Sequence, residues 1–106
     1  MLEFLQREKF LKKLRKMTAD ELIKEYMDIR SRGSILCAVG DVNHIDIKNW
    51  VICEDYLTKT KNVDFRLLDD YVTICNALSS EKNKNMNKDD LITYRDLAKK
   101  KLLEVL

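Results

Sequence analysis

An all-α fold, a compact bundle of five to six short amphipathic helices, is what this sequence predicts, on three observations. The chain has no proline and two glycines, so the strongest interrupters of helices are nearly absent. Apolar residues recur at helical spacing along most of its 106 residues. "SILCAV", residues 34–39, is the one segment that also fits a buried strand, and no second strand exists to pair with it. The length suits one domain, residues 1–106, around one core.

Residues 3–16, "EFLQREKFLKKLRK", place Phe4, Leu11 and Leu14 on one side with Phe10 and Met17 close by, and lysine and arginine fill the rest of an amphipathic helix. "TADE" follows. Thr18 and Glu21 stand at the N-cap and N3 spacing of a capping box, which starts a second helix that buries Leu22, Tyr26 and Ile29 and stops near Gly33. "SILCAV" then makes about two helical turns, and "GDVNHID" is rich in turn formers. Asp46 caps the next helix, in which Ile47, Trp50, Val51 and Leu57 recur before "KTKN" ends it.

Asp64 caps another helix, whose Leu68, Tyr71, Val72, Cys75 and Leu78 form the most regular apolar stripe. Residues 81–90 read as a mobile polar loop, with Asn87 placed to cap the final helix. That helix carries Leu91, Tyr94, Ala98, Leu102 and Val105 on one side, and Leu103 and Leu106 remain as surplus apolar residues.

Composition excludes several classes. Apolar residues at 45% and charged residues at 36% describe a folded chain with a heavily solvated exterior. Apolar runs stay at five residues or fewer, far short of the roughly 20 a bilayer requires, so no membrane association and a cytoplasmic location are expected. The three cysteines, Cys37, Cys53 and Cys75, are odd in number and lack a CxxC pair, which points to small buried hydrophobes and no disulfide framework. The single histidine, His44, has no recurring ligand pattern around it, so no metal and no cofactor are expected. Without a glycine-rich phosphate loop or a nucleophile with a spaced base, no enzymatic activity is expected either.

The net charge of +2 hides a division. Residues 1–16 hold six basic and two acidic groups, residues 18–81 hold seven and twelve, and residues 82–106 hold seven and four. Either the basic ends pack on the acidic middle, or a basic face meets an acidic partner. The second case gives the leading expectation: a small regulatory or adaptor protein that binds an acidic protein surface through its basic terminal helices, with a homodimer left open. Its candidate residues are Lys9, Lys12, Lys13, Arg15 and Lys16, with Lys99, Lys100 and Lys101 as a second cluster. Richness in lysine, asparagine and isoleucine suggests an AT-rich coding source, of the phage or mobile-element kind.

The alternative lies in "CAVGDVNHIDIKNW", residues 37–50. Cys37 stands as a small residue, Asp41 at a turn, Val42 as an apolar plug and Asn43 as a cap, with Ile47 and Trp50 on the buried side of a following helix. Over these fourteen residues the chain resembles the helix-turn-helix units of many bacterial regulators and transposases. The resemblance implies a DNA-binding transcriptional regulator that reads DNA with residues 43–52, chiefly His44, Lys48 and Asn49. Asp41 replaces the usual glycine, and Asp46, Glu54 and Asp55 put acid on the reading helix, where phosphate contact needs cations.

Overall fold

The computed structural model describes residues 2–80 and 87–106. The chain is all-α, and among the described residues there is no strand. Its helices are α1 (Leu2–Arg15), α2 (Ala19–Ala38), α3 (Ile45–Asp55), α4 (Phe65–Ser79) and α5 (Lys88–Val105), with a π-helical segment, Tyr56–Thr60, continuing α3. They group into two compact units, Met1–Thr60 and Lys61–Leu106. No described helix is long and apolar enough to cross a membrane.

In the first unit α3 packs against both α2 and α1. Phe10 and Leu14, four residues apart, form the buried line of α1. Phe4, expected beside them, is exposed, because at roughly 100° per residue it falls about a quarter turn off that line. The capping box forms as expected: the Thr18 N–H donates to Glu21 Oε1 at 3.0 Å, and the Glu21 N–H donates to Thr18 Oγ1 at 3.2 Å.

From there α2 buries Leu22, Ile23, Tyr26 and Ile29, and it runs unbroken through Gly33 to Ala38, where a stop at Gly33 was expected. Gly33 is a contact and not a terminator. A Cβ built there would stand 2.5 Å from Trp50 Cε3, so only glycine lets the indole of α3 come this close. The turn comes later, at Gly40, whose φ of +86° suits glycine.

His44 caps α3, its Nδ1 accepting from the Asp46 N–H at 3.0 Å, in place of the expected Asp46. Since the helix starts at Ile45, Asp46 falls in its first turn, where a carboxylate favours the helix dipole and lies 3.5 Å from Arg32 Nε. The inward line of α3 keeps the expected Leu57 and loses the expected Val51. Cys53 and, in the π-helical segment, Leu57 are fully buried, whereas Val51 is exposed. Thr58 Oγ1 donates to the Glu54 carbonyl at 2.8 Å as the helix widens.

In the second unit Asp64 caps α4 by accepting from the Arg66 N–H at 2.8 Å, and Leu68, Tyr71 and Val72 face inward. Asn87 Oδ1 accepts from the N–H groups of Asp89 and Asp90, so residues 88–90 are the first turn of α5 and not part of a loop. Residues 81–86 of the expected mobile loop lie outside the described residues. α5 packs on α4 with Ala98 and Leu102 buried. Tyr94 and Val105, expected on that side, are exposed. The inward line runs Leu91, Arg95, Ala98, Leu102, so the half-buried position one residue past Tyr94 takes the aliphatic stem of an arginine whose head binds Asp96 at 3.1 Å.

Candidate functional site

Lys9, Lys12, Lys13 and Lys16 stand at i, i+3, i+4 and i+7 of α1 or its immediate C-terminal extension, so they share one face. Ile45 and Asn49, four apart on α3, come up beside that face. With Gln6 and Phe10 they line a cleft of about 540 Å³. Phe10 supplies an apolar floor, and Ile45, 40% exposed, an apolar wall. Around these the lysine stems add carbon surface while their ammonium groups form the rim.

The rim is cationic and largely uncompensated. Lys13 Nζ lies 3.6 Å from Glu25 Oε1 and 5.9 Å from the centroid of the Phe10 ring, which ties it to the floor of the cleft. Lys9, Lys12 and Lys16 have no ion pair among the described residues. The Lys13–Glu25 pair thus links the basic N-terminal helix to the acidic segment, while Lys9, Lys12 and Lys16 present their charge to the cleft.

A smaller cleft of about 320 Å³ shares Gln6, Ile45 and Asn49 and adds Arg7 and Lys48. Two of the three candidate DNA-reading residues, Lys48 and Asn49, therefore join the lysines of α1 on one continuous surface. His44 does not, since its ring is engaged as the cap of α3. The geometry of residues 37–50 also departs from the expected motif. Cys37 and Val42 are exposed, the small residue at the helix crossing is Gly33, and the connection spans residues 39–44, longer than the turn of three or four residues in a helix-turn-helix.

The remaining cations are dispersed. Arg15 turns to a polar pocket with Arg7 and Lys59, where Lys59 Nζ lies 3.6 Å from Asp55 Oδ1. Lys99 and Lys100 border a shallow groove with Asp96 and Glu104, and Lys101 borders another with Asp70, so this second cluster is offset by acid on both faces. Gln6, Phe10 and Ile45 were not foreseen as site residues. The spacing of the four lysines was the available signal, because it marks a single face next to Phe10.

The titratable groups of the core serve packing. Tyr26 donates to Glu54 Oε1 at 2.7 Å and accepts from Arg30 Nη1 at 3.3 Å, and burial, then the Glu54 carboxylate, push its phenol up to about 12. Burial, with Glu25 and Glu54 nearby, pushes the Cys53 thiol up to about 12 as well, which keeps it protonated and unreactive. Among the described residues no group of three or more metal-ligating side chains converges.

What the cleft offers chemically is an apolar floor inside a ring of positive charge. No protein-family model, curated protein or solved structure matches this chain.

Proposed function

We propose that this chain is a small, non-enzymatic regulatory or adaptor protein of the cytoplasm that binds another protein by seating an acidic amphipathic segment in the α1–α3 cleft. The observation that carries the reading is the pairing of Phe10 and Ile45 with the rim of Lys9, Lys12, Lys13 and Lys16. A helical segment with apolar anchors at i, i+4 and i+7 and carboxylates beside them matches such a groove in both respects. Charge on the rim steers the encounter, and the apolar floor fixes the register.

One observation favours a second reading, a DNA-binding regulator: Lys48 and Asn49 extend the lysine face. Asp46, Glu54 and Asp55 on α3 and its end oppose the approach of a phosphate backbone.

The two readings separate by fluorescence anisotropy with two labelled probes, an acidic amphipathic peptide with leucines at helical spacing and a mixed-sequence DNA duplex. The peptide binds, a scrambled peptide of equal composition binds less, and Lys12→Glu with Lys16→Glu weakens binding about tenfold. A duplex that binds more tightly than the peptide, with steep salt dependence and loss in Lys48→Glu, overturns this reading in favour of DNA.

A further inference from the structure

We propose that the groove between α4 and α5 is a two-fold interface that takes a second copy of this chain. This stands independently of the α1–α3 cleft. The groove, of about 320 Å³, has Leu67 and Ile74 on α4 and Tyr94 and Leu97 on α5 along its length. Tyr94 is 59% and Leu97 49% exposed, on a helix whose inward side is already filled by Ala98 and Leu102. Exposed tyrosine is enriched at the centres of protein contacts, and Leu97 adds apolar area beside it.

Charge decides the occupant. In an isologous interface each contact from one residue to another is repeated in reverse, so a face meets itself only if its charges are balanced. This groove is bordered by one acid, Asp70 on α4, and one base, Lys101 on α5. Both are exposed, and neither has an ion pair among the described residues. Asp70 set against the partner's Lys101 gives two identical pairs by symmetry. The neighbouring surface of α5 is balanced too, with Asp96 and Glu104 facing Lys99 and Lys100 around Leu103. The α1–α3 cleft fails the same criterion, since its lysines would meet lysines. An acidic segment or a nucleic acid gains nothing from a neutral groove, whereas a second copy matches it in charge and apolarity.

Light scattering coupled to size-exclusion chromatography, with the full chain over a range of micromolar concentrations, tests this. The expected result is a monomer–dimer equilibrium that Leu97→Glu shifts to monomer and Asp70→Lys weakens at least tenfold, while Asp70→Lys combined with Lys101→Asp restores the dimer. Asp70→Lys lies at an exposed position and keeps the test open should Leu97→Glu unfold the chain. A monomer at every concentration, a dimer indifferent to Asp70→Lys, a charge swap that fails to restore it, or open-ended higher assemblies would each overturn the proposal.

Discussion

Gly33 of α2 lies flat against the indole of Trp50 in α3, so near that a Cβ at Gly33 would stand 2.5 Å from Cε3 and 3.2 Å from Cζ3. Alanine normally stabilises a helix interior over glycine by ~0.5–1 kcal/mol. Here the added methyl overpacks the α2–α3 contact, a cost of ~1–3 kcal/mol. Gly33→Ala is therefore expected to destabilise the chain by roughly 1–2 kcal/mol in urea melts. In a Trp50→Leu background, which removes the ring, the same substitution should be neutral or stabilising. A loss of equal size in both backgrounds would show that the ring is not the cause.

Tyr26 makes stability sensitive to alkali. Its folded-state value, about 12, lies above the ordinary 10.0, so the folded state holds the proton more tightly than the unfolded state. The contribution is fully present below pH 10.0 and is lost as pH rises toward about 12. Absorbance titration should find Tyr26 ionising well after an ordinary phenol. Tyr26→Phe removes that late step and, by leaving the Glu54 carboxylate without its donor, costs on the order of 1–2 kcal/mol at neutral pH.

The three cysteines report burial directly. Cys37 is exposed and should react with a thiol reagent as a free thiol does, and the half-buried Cys75 more slowly. Cys53, fully buried with its thiol pushed up to about 12, should be modified only when the unit Met1–Thr60 unfolds. Mass spectrometry of timed labelling checks the order, and early modification of Cys53 would contradict the packing of α3.

Helix caps offer a graded check. Thr18→Ala removes the hydroxyl that accepts from the Glu21 N–H, keeps the backbone N–H that donates to Glu21 Oε1, and is expected to cost ~1 kcal/mol. His44→Ala removes the acceptor for the Asp46 N–H and should cost more than Asn43→Ala, which removes no cap. Thermal melts of the three variants give the ranking.

The caps at Thr18, Asp64 and Asn87 were legible in the sequence because each depends on a side chain and an N–H two or three residues away. The cores of α2 and α4 were legible for a similar reason, since Leu22, Tyr26 and Ile29, or Leu68, Tyr71 and Val72, repeat the helical period. Gly33 was misread as a stop because its role depends on Trp50, which only the tertiary fold brings to it. Tyr94 was misread because its apolarity outweighed that of Arg95, whose stem in fact takes the inward position. Of the candidate site, the lysine face was readable from spacing alone. Its completion by Ile45 and Asn49 depends on how α3 lies against α1, which no local pattern encodes.

Whether the α1–α3 cleft receives an acidic amphipathic segment is tested by nitrogen–proton correlation spectra of the labelled chain titrated with the acidic amphipathic peptide. The largest shifts are expected at Phe10, Lys13, Ile45 and Asn49, which all line the cleft, and much smaller ones with the scrambled peptide. Shifts of equal size with both peptides, or shifts that leave Phe10 and Ile45 unmoved, would contradict it.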